Sequence, residues 1–126
     1  MRRRQILAVA PVALLAACAA PGSPSIVTVF FTADSAALDT EAQAVVRRAA
    51  EAARAGTGTV QVLGFAGPAG GVAYNRALSE ARAQHVADLL IAGGVARDRV
   101  RIVPRGPVPF EAVPTESRRV EIRYGA

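Results

Sequence analysis

An α+β fold is predicted for this 126-residue chain: a two-layer sandwich of βαβαββ order, with a mixed sheet and both helices on one face. Three observations predict it. Four short segments, 26–31, 59–65, 99–103 and 119–124, are β-branched and aromatic or alternate apolar with polar residues, the pattern of strands. Two longer stretches between the first three of them carry helical spacing and helix-ending residues. Right-handed crossovers between such elements set both helices on the same side of the sheet. The composition, 52% hydrophobic and 20% charged, suits a single folded domain and excludes a disordered chain.

The first strand, Ile26-Val27-Thr28-Val29-Phe30-Phe31, is β-branched and aromatic throughout. The first helix opens at Thr40 and Gln43, which have capping-box spacing, with Asp39 and Glu41 suited to a helix start. Ala42, Val45, Val46, Ala49, Ala50 and Ala53 then fall on one helical face, and Gly56 ends the helix. Thr59 to Phe65 forms the second strand, and Gly67, Pro68, Gly70 and Gly71 mark a loop. The second helix runs from about Ala73 to Ala92, with Leu78, Ala81, Leu89 and Leu90 among its apolar positions and Gly93-Gly94 as its stop. Arg99 to Val103 and Arg119 to Tyr124 alternate as the third and fourth strands, separated by an extended loop held by prolines 104, 107, 109 and 114. Val62, Leu89, Ile102, Val120 and Ile122 are expected in one core between sheet and helices.

Composition removes several function classes. Trp is absent and only six residues are Tyr or Phe, too few for a base-stacking platform. One Cys and one His cannot hold a structural zinc, and one Cys cannot form an internal disulfide framework. Lys is absent, which excludes a Walker phosphate loop and Schiff-base chemistry. No metal or cofactor is therefore expected. The net charge of +5 owes three units to Arg2, Arg3 and Arg4; without residues 1–17, 12 Arg face 10 Asp and Glu. The remaining +2 gives no reason to expect a nucleic-acid partner.

Those three arginines precede an apolar run, Ile6 to Ala17, shorter than the roughly 20 residues of a permanent membrane span. A basic start, a short apolar run and a small-residue end describe an export signal over residues 1–17. Leu15-Ala16-Ala17-Cys18 resembles the lipobox of bacterial lipoproteins, which implies that Cys18 is the lipidated first residue of the mature chain. One acyl chain anchors only marginally, whereas two or three hold a protein to a membrane. Ala19 in place of Asp implies, by analogy, the outer membrane. Residues 18–25 then form the lipidated Cys and a short linker, whose seven residues after Cys18 reach at most about 25 Å. The alternative is an ordinary signal with a chance Cys, giving a periplasmic protein without lipid.

Residues 26–126 form the folded domain. Leu63-Gly64-Phe65-Ala66-Gly67, the stretch Tyr74-Asn75-Arg76-Ala77-Leu78-Ser79-Glu80-Ala81-Arg82-Ala83, and Arg118-Arg119-Val120-Glu121-Ile122 together resemble the OmpA-like domain. Phe31 to Leu38 is similar to that family's first strand and following turn. The resemblance implies the OmpA-like βαβαββ fold and, with the lipobox, the arrangement of a peptidoglycan-associated lipoprotein.

The resemblance also implies a ligand, the diaminopimelate end of the peptidoglycan stem peptide, which carries an ammonium and a carboxylate. Arg82 matches the family arginine that takes the carboxylate with its planar fork. The family's Gly-x-Thr-Asp motif reads Gly64-Phe65-Ala66-Gly67 here, so Gly67 stands at the acid's position. Asp34 and Asn75 match two further positions near the ligand, and Asp34 is the available negative charge. Each has a plainer role open to it: a solvated helix-face Arg for Arg82, a helix N-cap for Asn75, a turn residue for Asp34. Arg118 and Arg119 are expected at the edge and surface of the last strand. Ser79, His85 and Asp88 share one helix at offsets that scatter them around it, so no catalytic triad and no enzyme is expected. The function expected is a periplasmic domain that tethers the outer membrane to the cell wall; the alternative is an interaction protein with a degenerate site and an envelope protein as partner.

Overall fold

The computed structural model describes residues 23–67, 71–107 and 117–125; Cys18, Pro109 and Pro114 lie outside them. The elements are β1 (Ser25–Phe30), α1 (Thr40–Arg54), β2 (Val60–Ala66), α2 (Val72–Ala92), β3 (Val100–Pro107) and β4 (Arg119–Tyr124), with one 3₁₀ turn at Arg97–Arg99. The sheet runs β1-β4-β2-β3. β4 is antiparallel to both β1 and β2, and β2 is parallel to β3. The predicted α+β architecture with a mixed sheet therefore holds, and β4 threads between β1 and β2 in a split βαβ arrangement.

α1 starts one residue earlier than its capping-box spacing suggests. Asp39, not Thr40, is the N-cap: its carboxylate accepts from Ala42 N–H at 2.7 Å. Gln43, one position too late to close a box on Asp39, donates from Nε2 to Leu38 O at 2.9 Å. The expected apolar face is buried from Ala42 to Ala53, with Val45 half-buried.

The core lies between that face, the sheet residues Val29, Val60, Val62, Val120 and Ile122, and the α2 residues Ala83, Val86, Ala87 and Leu90. Two core expectations need correction. Ile102 is 37% exposed, because β3 is an edge strand with a neighbour on one side only. Leu89 is only half-buried, while Leu90 has no exposed surface. The buried face of α2 is Asn75, Ser79, Arg82, Ala83, Val86, Ala87 and Leu90, and Ala81 is exposed. Three of those seven residues are polar, so apolar spacing alone misses the phase. Leu90→Ala is expected to cost about 2–5 kcal/mol in a urea melt, and Leu89→Ala less than half as much.

Pro104 and Pro107 belong to β3 rather than to a loop. At a sheet edge a missing N–H costs no ladder bond, so proline is tolerated there. Across the sheet, Gly64 brings β2 against α2: a Cβ there would collide with the Ser79 carbonyl oxygen and lie 3.1 Å from Ala83 Cβ. Ser79 suits that contact, being small and sending its hydroxyl back to Arg76 O at 2.8 Å.

Candidate functional site

The site is assembled where the turn after β1 meets the N-terminal half of α2. Arg82 lies two helical turns into the buried face of α2 and has no exposed surface, which removes the alternative of a solvated helix-face position. Its Nε donates to Ser35 O at 2.8 Å, one terminal nitrogen to Thr32 O at 3.0 Å, and the other to Phe65 O at 3.4 Å. Its guanidinium also sits 5.2 Å from the centre of the buried Phe31 ring. Arg82 thus ties the β1–α1 turn and the end of β2 to α2.

Burial, and then the like charge of Arg118, pull the Arg82 pKa below its ordinary value, while Tyr74 and Asp34 act in the opposite sense. The guanidinium stays charged at any physiological pH. Among the described residues no carboxylate forms an ion pair with it; the salt bridges there are those of Glu121 with Arg119 and Arg123. Of its five N–H groups three are bonded to carbonyls, leaving one on each terminal nitrogen of the fork.

Asp34 is exposed and left-handed, at φ 52°, a conformation that Asp tolerates better than most residues. Its carboxylate does not bond its own backbone turn in the way expected of a plain turn residue. It accepts from the Tyr74 hydroxyl at 3.1 Å, across 40 residues of sequence. That bond, ahead of desolvation and the Asp34 charge, raises the Tyr74 pKa. Arg82, Asp34 and Tyr74 are therefore close enough to feel one another's charge.

Asn75 is not an N-cap. Gly71 occupies that position without a side-chain bond, and Asn75, 4% exposed, sits four residues into the helix with its N–H on Gly71 O. Gly67 lies two residues beyond the carbonyl that Arg82 holds. Positive φ among the described glycines is confined to Gly94, Gly106 and Gly125, so the backbone at Gly67 does not require glycine. A Cβ there meets one close neighbour, the Ser117 hydroxyl at 3.1 Å.

Sequence reasoning missed Tyr74, Phe31 and Arg118 as parts of this cluster. Tyr74 adjoins Asn75 in the motif-bearing stretch, but its bond to Asp34 carries no sequence signal. Arg118 precedes β4, which is an interior strand and not an edge, and its charge reaches Arg82. Arg119 stacks 4.1 Å over the Phe65 ring and bonds Glu121 at 3.2 Å. Burial pushes the Glu121 pKa up, but the bonds from Arg123 and Arg119 outweigh it and hold the carboxyl below its usual range.

Ser79, His85 and Asp88 do not converge. Ser79 bonds Arg76 O, His85 Nδ1 lies 2.8 Å from Ala36 O, and Asp88 accepts from Gln84 at 2.9 Å. Among the described residues no group of three or more His, Cys, Asp or Glu could hold a metal, and no helix is long and apolar enough to cross a membrane.

Residues 30–121, from the end of β1 into β4, match the OmpA family. The chain belongs to the OmpA family. The match takes in the turn, both helices and every residue of the cluster around Arg82. Among solved structures, this OmpA-family chain is similar to the peptidoglycan-associated lipoprotein from Burkholderia pseudomallei, at 25% identity and a TM-score of 0.70 over 77% of this chain and 88% of that one. It is also similar to the cell wall anchor of the T6SS from Pseudomonas aeruginosa, at 35% identity and a TM-score of 0.68 over 82% of each chain. Outer membrane protein 40 of Porphyromonas gingivalis is 34% identical over 96 residues, 71% of this chain. The matched part is 25% of that relative's length and 18% of Citrobacter freundii outer membrane protein A, so the chain spans a quarter or less of these relatives.

Proposed function

We propose that this OmpA-family chain is an outer-membrane lipoprotein, anchored through Cys18, whose periplasmic domain binds peptidoglycan non-covalently and without catalysis. One observation carries the reading. Arg82 is a buried cation held by three main-chain carbonyls, with no carboxylate among the described residues in an ion pair with it. Buried charges are stable when paired, so an anionic ligand would complete the site. The stem-peptide carboxylate fits the two remaining N–H groups of the fork, and the exposed Asp34 takes the adjacent ammonium. Tyr74, bonded to Asp34, and Asn75, one residue on, are the neighbours such a ligand would meet. Similarity to a peptidoglycan-associated lipoprotein and to a cell wall anchor supports the same ligand class.

A second reading, a retained fold acting through an envelope protein, draws on two observations. Gly67 stands where the family carries its acid, and Arg82 has no exposed surface, so a ligand must displace what covers it. Co-sedimentation with purified sacculi separates the readings. Weak binding by the wild-type chain is expected, weaker still in Asp34→Ala. Gly67→Asp should strengthen it, by at most about 30- to 150-fold, because an acid on an untuned loop does not recover a full pair energy. Wild-type chain that never pellets, with binding gained only in Gly67→Asp, selects the second reading. The anchor is tested separately by intact mass of the membrane-extracted protein, where an acylated N-terminus at Cys18 is expected and an unmodified one at Ala20 refutes it.

A further inference from the structure

Among the described residues the sheet has two outer edges, β1 and β3. They are built differently. β3 carries Pro104, Pro107 and the exposed Arg101 and Arg105, devices that keep an edge from accepting another strand. β1 reads Ser-Ile-Val-Thr-Val-Phe, with no charge, proline or glycine. Its two large outward side chains, Ile26 and Phe30, are 55% and 50% exposed.

One hydrogen bond fixes where the free backbone groups of β1 point. Phe31 N–H donates to Arg118 O at 2.8 Å, and that pair extends the register in which Val29 faces Val120 and Val27 faces Ile122. Bonded and non-bonded pairs alternate along an antiparallel ladder. The odd-numbered residues therefore bond β4, and the N–H and C=O groups of Ile26, Thr28 and Phe30 face the open edge.

We propose that this edge pairs with the β1 edge of a second copy of the chain, antiparallel about a two-fold axis at Thr28. In that register Ile26 of each copy lies opposite Phe30 of the other, and Thr28 lies opposite Thr28. The three outward residues of each copy then exchange six N–H···O bonds, and the two exposed apolar side chains cover each other as cross-strand pairs. Val27 and Val29 meet on the helix-covered face, so the apolar layer continues across the axis. The register is specific. A shift of two residues one way sets Phe30 against Pro24, which has no N–H to donate, and the other way sets Ile26 against Thr32, beyond the end of the strand. The strand is thus complementary to itself, and a copy of it brings no charge to repel. The contact is isologous and closes as a dimer. It uses the open backbone edge of β1, which ends one residue before Phe31 of the Arg82 cluster, and does not depend on what that cluster binds.

Sedimentation velocity of the full-length chain in a non-ionic detergent tests this. A concentration-dependent dimer is expected. Thr28→Lys sets two ammonium groups face to face at the axis and should weaken the dimer by about ten-fold or more. In a Cys18→Ser background, Thr28→Cys should cross-link under mild oxidation, since Cα atoms of a bonded antiparallel pair lie about 5.5 Å apart, within disulfide reach. Thr59→Cys, exposed outside β1, should not. Thermal melts of the variants check that each is folded. A chain that stays monomeric at every concentration, a dimer indifferent to Thr28→Lys, or equal cross-linking of both cysteine variants would overturn the proposal.

Discussion

Replacing Arg82 with Ala is expected to lower stability by about 2–4 kcal/mol and to abolish the peptidoglycan binding proposed above. Three main-chain carbonyls, from Thr32, Ser35 and Phe65, lose a charged donor at once. Hydrogen bonds to charged groups contribute about 1.5–3 kcal/mol each, and the sum is reduced because removing the guanidinium also removes its desolvation cost. Phe31 loses its cation partner and is left beside a cavity. The loss of binding and the loss of stability are separable with Arg82→Lys. Lysine keeps the charge but has no planar fork, and one ammonium cannot satisfy three carbonyls and a carboxylate together. A urea melt should place Arg82→Lys between wild type and Arg82→Ala, while its sacculus binding, measured well below its melting point, should fall to the Ala level. Binding that persists in either folded variant would remove Arg82 from the ligand site.

Gly64→Ala is expected to cost about 3 kcal/mol, the upper end of the usual range for overpacking. The group in the way is the helix backbone: the added methyl collides with the Ser79 carbonyl oxygen, 3.0 Å from its carbonyl carbon and 3.1 Å from Ala83 Cβ. No rotamer change relieves a main-chain clash, so α2 has to lift from β2. That movement also displaces Arg82, one turn further along the same helix face. Gly58→Ala is the control, since a Cβ there has nothing within 4 Å and should change stability by less than about 0.5 kcal/mol. Equal urea midpoints for the two variants would show that the β2–α2 approach is looser than described.

Much of the fold was legible in the sequence because its periods report burial locally. The apolar face of α1 and the bounds of β4 emerged as read. The family motifs located Arg82 and Asp34, and the structure brings both to one place, with Tyr74 bonded to Asp34 and within reach of the Arg82 charge. The phase of α2 was not legible, because its buried face includes Asn75, Ser79 and Arg82, which hydropathy assigns to solvent. Their burial is made possible by partners elsewhere, above all the carbonyls that receive Arg82.

By itself the sequence determined the element order, the turn chemistry and the residue types available to the site, since these depend on spacing over a few residues. Only the tertiary structure decided that β4 enters between β1 and β2, that Pro104 and Pro107 lie in an edge strand, and that Asp39 rather than Thr40 caps α1. It also decided that Arg82 is enclosed. The carbonyls it binds are 47, 17 and 50 residues away, and the Tyr74–Asp34 bond spans 40. Contacts at those separations are set by how the sheet is ordered and how closely Gly64 lets α2 approach it, and no local period encodes either.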